Sequence, residues 1–128
     1  MSKINSSLGI NSGLAAWAGL MGACGVAAAA ASAHVAGAER LGSVALVLLT
    51  HAAALLALTQ RKGFLAAAVV MAFGATLFAL EVSLFTLRGA HLFPLAAPTG
   101  GLSLILGWLM VFFASLVELS RKPSGTLP

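Results

Sequence analysis

Long apolar runs alternate with short polar breaks along this chain. Residues 13–35, 41–58, 64–87 and 101–119 are apolar on all sides. They are separated by Gly37-Ala38-Glu39-Arg40, by Thr59-Gln60-Arg61-Lys62-Gly63 and by a longer stretch from Arg88 to Gly100. About 20 such residues, rising 1.5 Å each in a helix, cross a hydrocarbon core about 30 Å thick. Strands do not fit the pattern, because a membrane barrel strand alternates in hydrophobicity over about ten residues. Backbone groups inside hydrocarbon must pair within their own segment, which selects helices. The first two breaks are short, so consecutive helices are expected to run antiparallel. The pattern therefore predicts an all-α fold, an integral membrane antiparallel bundle of four transmembrane helices in a single domain over residues 1–128. Residues 1–11 are expected to form a flexible or interfacial leader, and residues 123–128 a flexible tail.

Composition strengthens this reading. Hydrophobic residues make up 60% of the chain and charged residues 8%, against about 45–50% and 25% in soluble domains. Seven Lys/Arg and three Glu cannot cover the surface of so small a soluble domain. Charge also orients the chain. Lys3, Arg61, Lys62, Arg121 and Lys122 fall on one side of the four spans, and Arg40 and Arg88 on the other. The positive-inside rule then places both termini in the cytoplasm. The basic residues are read as topology signals and lipid head-group contacts. They form no basic patch with interleaved aromatics, so no nucleic-acid partner is expected. Lys3, an apolar run and Ala31-Ser32-Ala33 also look like a secretory signal, but the run is long for one and the segment is expected to stay as the first span.

Small residues are concentrated in the first span. At four-residue spacing it reads Ala15, Gly19, Ala23, Ala27, Ala31, with Gly22 and Gly25 beside this row. Small residues let helices approach closely in lipid, where no hydrophobic force drives association. The first helix is thus expected at the centre, with Gly19, Gly22, Ala23 and Gly25 as packing residues. A large residue at Gly22 or Ala23 is expected to disrupt it. Gly100, Gly101 and Gly107 are expected to play the same part around the fourth span. The single cysteine, Cys24, excludes an internal disulfide and reads as a small buried packing residue. The stretch from Gly89 to Gly101 holds two prolines and three glycines, counting both ends, and reads as an interfacial or re-entrant loop. Thr99 is expected to cap the fourth helix.

Polar groups within the spans need a partner or a purpose. His51 lies near the middle of the second span, and Glu81 about one helical turn nearer the outer surface in the third. A His51–Glu81 pair between neighbouring helices is therefore feasible. His34, Thr99 and Ser103 fall in the same outer half, giving a candidate intramembrane cluster of His34, His51, Glu81, Thr99 and Ser103. Histidine and carboxylate are ligands for zinc, copper or iron, and two histidines could hold haem. No local ligand spacing such as HxxxH is present, so no cofactor is predicted, with metal or haem at His34 and His51 as the weaker reading. Trp17 and Trp108 are read as space-filling or interfacial, Phe112 and Phe113 as lipid-facing, and Glu118 as solvated near Arg121 and Lys122.

Certain residues recur in a familiar order. The first helix contains Gly22-Ala23-Cys24-Gly25-Val26 and closes on Ala33-His34. The second contains Leu49-Thr50-His51-Ala52-Ala53-Ala54, and the third Gly74-Ala75-Thr76-Leu77-Phe78. The fourth is approached through Ala97-Pro98-Thr99-Gly100-Gly101 and contains Gly107-Trp108. This order resembles the domain-of-unknown-function 423 family of small bacterial inner-membrane proteins, itself similar to the transmembrane protein 256 family. The resemblance runs from about Gly19 to Lys122. It implies four membrane helices and an inner-membrane location, and it implies no activity. Glu81 stands where that family commonly has Phe-Ser-Gly-Ser, so the resemblance does not extend to a His51–Glu81 mechanism.

No GxSxG, Walker or GxGxxG motif is present, and an enzyme is not expected. The expected role is that of a non-enzymatic inner-membrane protein. It would be an accessory subunit or a helical bundle that binds lipid, a membrane-protein partner or further copies of itself. The alternative is transport of a proton, metal ion or small solute by an oligomer.

Overall fold

A computed structural model of the chain describes residues 2–121. It contains four helices, α1 (Ser2–His34), α2 (Leu41–Thr59), α3 (Leu65–Arg88) and α4 (Ala96–Arg121), and no strand among the described residues. Each helix is long and apolar enough to cross a membrane, α1 through its Gly9–His34 portion. The fold is therefore all-α, with four apolar helices of spanning length. The expected tail, residues 123–128, lies outside the described residues.

Two boundaries depart from expectation for visible reasons. α1 begins at Ser2, so the leader from residue 2 onward is helical. No proline interrupts it, and a helix already satisfies its backbone groups internally. α4 begins at Ala96, five residues before the expected start at residue 101. Pro98 falls in the first turn, where a missing N–H costs nothing. Thr99 is not a cap, because its N–H already donates to the Leu95 carbonyl (2.9 Å) inside the helix. The connection between α3 and α4 is thereby shortened. Gly89 turns it sharply: its φ of 66° is left-handed, and its N–H closes the end of α3 on the Phe85 carbonyl.

α2 and α3 form the centre, and α1 and α4 lie outside them. α1 packs along α2, α4 packs along α3, and α2 packs on α3; α1 meets α3 over a short stretch. α1 and α4 do not pack on each other among the described residues. The expectation of a central first helix is thus corrected. Its burial pattern shows why. The buried positions of α1 are Ala18, Met21, Gly25 and Ala28, a three-four-three spacing that follows a neighbouring helix at a shallow crossing angle. A strict four-residue row turns about 40° per step around a helix and leaves the contact line. Gly19, Ala23 and Ala27 are exposed accordingly, as is Cys24, which is not buried.

Glycine works hardest between α3 and α4. A β-carbon at Gly100 would lie 2.7 Å from the Phe78 nitrogen and 2.9 Å from the Gly74 carbonyl oxygen. One at Gly74 would lie 2.8 Å from the Gly100 oxygen, and one at Gly107 would lie 2.5 Å from Cγ of Met71. The backbones thus approach at Gly74 and Gly100, and the Met71 side chain fills the hollow at Gly107. Gly25 plays a similar part against Leu48 and Leu49 of α2. Gly19, Gly22 and Gly101 have open space where a β-carbon would stand. Gly100→Ala must therefore push two backbones apart and should cost about 1–3 kcal/mol, as overpacking does. Gly22→Leu, contrary to the sequence expectation, should stay within about 0.5 kcal/mol of wild type. Unfolding in mild detergent measures both, and equal losses would overturn the assignment of the tight interface.

Candidate functional site

The His51–Glu81 pair does not form, because each residue is taken by other partners. His51, buried on α2, accepts a hydrogen bond at Nε2 from the Trp108 indole N–H of α4 (3.2 Å). An indole nitrogen only donates, so Nε2 is the accepting nitrogen of a neutral ring and Nδ1 carries the hydrogen. Nδ1 then donates to the Val47 carbonyl one turn back (2.7 Å). Both nitrogens are committed, leaving no lone pair for a metal or haem iron. This contact also joins α4 to α2, two helices whose backbones do not pack on each other.

Trp17 makes a matching tie on the opposite flank. Its indole N–H donates to Thr76 Oγ1 of α3 (3.0 Å), and that hydroxyl donates to the Ala72 carbonyl (2.7 Å). Each outer helix is thus fastened to a central one by a tryptophan N–H. Both tryptophans were expected to fill space or sit at an interface. The sign that could have marked them is a donor-only ring within a span that also holds few acceptors.

Glu81 is the most unusual residue of the four helices. It is a carboxylate only 4% exposed on an apolar helix. His91 Nδ1 lies 2.5 Å from one carboxylate oxygen, and the Leu92 backbone N–H donates to the other (2.7 Å). Both donors belong to the connection between α3 and α4, which folds back over the end of α3. The His91 ring stacks on Phe85, with centroids 4.6 Å apart and planes 23° apart. The Arg40 guanidinium sits 5.0 Å from the Phe85 ring centroid. The α1–α2 and α3–α4 connections therefore meet at one end of the molecule, over a buried carboxylate. His91 itself is open to the surroundings, its side chain 60% exposed.

The remaining members of the expected cluster do not join this site. His34 is exposed at the end of α1. Ser103 donates back to the Thr99 carbonyl one turn earlier (2.8 Å), and Thr99 is exposed. The cluster thus divides into a His51–Trp108 contact and a Glu81–His91 contact. No three His, Cys, Asp or Glu residues are grouped to hold a metal ion among the described residues. At the other end, Glu118 pairs with Arg61, whose guanidinium lies 4.1 Å from the Phe64 ring centroid. In the α1–α2 turn, its own backbone N–H and that of Gly37 hold the Glu39 carboxyl below the ordinary carboxylate range.

A cleft of about 500 Å³ lies between α1 and α3, over a floor of α2. Cys24, Ala27 and Ala31 line one wall, Ala79 and Ser83 the other, and Leu48 the floor. Trp17 and Thr76, joined by their hydrogen bond, lie at one end of its lining. Small side chains on both walls keep the helices from filling this space themselves. Its volume falls within the range of small-molecule sites, about 300–1,000 Å³.

Comparison with protein families, with curated proteins and with solved structures finds no match. A double-mutant cycle of Trp108→Phe and His51→Leu should show a coupling of about 0.6–2 kcal/mol, the range for hydrogen bonds between membrane helices. A cycle of His51→Leu and Glu81→Gln should be additive within about 0.3–0.5 kcal/mol. Unfolding free energies in detergent supply both values, and the reverse order would restore a His51–Glu81 pair.

Proposed function

We propose that the protein is a non-enzymatic component of the bacterial inner membrane that binds a lipid chain. In this reading its four helices form an antiparallel bundle with both termini in the cytoplasm. The distribution of Lys and Arg supports the orientation. The resemblance to the domain-of-unknown-function 423 family, which rests on the order of residues quoted above, supports the location.

The α1–α3 cleft carries the lipid reading. Its lining is almost wholly apolar, and it lies along helices of membrane-spanning length. From Thr76 to Leu87 its α3 wall covers eleven residue steps, about 16 Å, close to one leaflet of a hydrocarbon core about 30 Å thick. The cleft is thus long enough for a chain lying along α3 and has few groups that would hold a polar ligand. The runner-up, transport of a proton, metal ion or small solute by an oligomer, draws support from one feature, the buried Glu81 carboxylate. Against it stands the occupation of both His51 nitrogens, which leaves no relay through the centre.

Binding in the cleft has a direct test. A phospholipid with a photoactivatable acyl chain should label Ala27 and Ser83 several-fold more than Leu102 and Phe112, which are exposed on α4. Ala27→Trp should fill the cleft and remove that preference without unfolding the protein, because Ala27 is exposed. Peptide mapping of the labelled protein reads the outcome. Uniform labelling around all four helices would reduce the cleft to ordinary lipid-facing surface.

A further inference from the structure

We propose that Glu81 is a proton-binding site, and that its protonation releases the α3–α4 connection from the end of α3. This release does not depend on lipid binding in the cleft. Glu81 is buried, whereas His91, one of its two donors, is mostly exposed. The other donor, the Leu92 N–H, belongs to the same short connection. When that segment lifts, both bonds to the carboxylate are lost at once. An ionised carboxylate left without donors in an apolar setting is far costlier than a neutral acid. Lifting is therefore coupled to protonation.

The balance is simple. The contacts of Glu81 with His91 Nδ1 and the Leu92 N–H break, and the carboxylate takes up one solvated proton (hydronium) from the aqueous side to become a carboxylic acid. No electrons move, and His91 turns out to the aqueous side. The proton has a short route, because exposed His91 already stands between that side and Glu81.

The backbone is arranged for such movement. The connection is bracketed by two left-handed residues, Gly89 (φ 66°) and Leu95 (φ 73°). Leu95 is not a glycine, so its conformation is strained and must be held by its surroundings. The clasp on Glu81 is what holds that segment against α3. The other charged groups near this end do not substitute for His91. Arg40, from the α1–α2 connection, rests on Phe85. Glu39 accepts from the Gly37 N–H, and His34 is exposed at the end of α1. Arg88 is exposed on the last turn of α3 itself. On α2, His51 is bound to Trp108, and the first three turns of α4 contain no titratable side chain.

Amide hydrogen exchange at Leu92, followed by NMR on the full-length protein in detergent, tests the coupling. Uptake of one proton makes opening about tenfold more frequent for each unit fall in pH. Base-catalysed exchange of an open amide slows by the same factor, so the observed rate at Leu92 should be nearly independent of pH. In Glu81→Gln, which cannot titrate, the rate should fall about tenfold per unit. A wild-type rate that falls in parallel with Glu81→Gln would overturn the proposal. Infrared spectroscopy provides a second test that does not need the Glu81 variant to retain its fold. His91→Ala alters an exposed residue and should show a carboxylic-acid carbonyl band at neutral pH that wild type lacks. Its absence would also overturn the proposal.

Discussion

Hydrocarbon offers no partner to a polar side chain, and the arrangement of these four helices follows from that fact. Several hydroxyls within the spans turn back onto their own helices: Thr50 to Leu46, Thr86 to Val82 and Ser103 to Thr99. Groups that cannot reach their own backbone must find another helix. The indoles of Trp17 and Trp108 reach Thr76 and His51, and Glu81 is met by the connection beyond its own helix. Among the described residues, no buried side-chain nitrogen or oxygen lacks a partner. Each satisfied group also fixes a distance between helices, so polar pairing and helix placement are one problem with one solution.

Packing supplies the second constraint. Apolar side chains gain little by leaving lipid for one another, so close van der Waals contact must hold the helices. The structure meets this unevenly. Between α3 and α4 the backbones approach at Gly74 and Gly100, and Met71 fills the space beside Gly107. Between α1 and α3, small residues on both sides meet over a short stretch and leave a cleft. The same residue type closes one interface and keeps another open. What differs is the tie: Trp17 and Thr76 hold α1 to α3 at one end of the cleft, whereas α4 lies on α3 along its length.

The four spans were legible in the sequence because length and hydropathy suffice to define them, and the breaks carry Gly, Pro and charge. Other features depended on geometry that a pattern does not contain. The α1 row from Ala15 to Ala31 and the buried row Ala18, Met21, Gly25, Ala28 are both rich in small residues, and the direction of the neighbour chooses between them. Gly74 was not among the expected packing residues because its importance comes from Gly100, on another helix. The partner of Glu81 was hidden for a similar reason. It lies ten residues further on, in a segment that read as a loop, and it reaches back because Gly89 reverses the chain. Thr99 looked like a cap next to two glycines, yet Pro98 tolerates the first turn and lets α4 begin earlier.

The separation of the two polar sites bears on function more than either site alone. A proton or ion pathway needs groups that can exchange partners along a line. His51 is committed at both nitrogens, one to the backbone of its own helix and the other to a donor-only indole. It can accept a proton only by giving up Trp108 and with it the tie between α2 and α4. Glu81 differs, since its donors sit on a short segment that can move without separating any two helices. The middle of the molecule is thus built to hold and the end near His91 to respond.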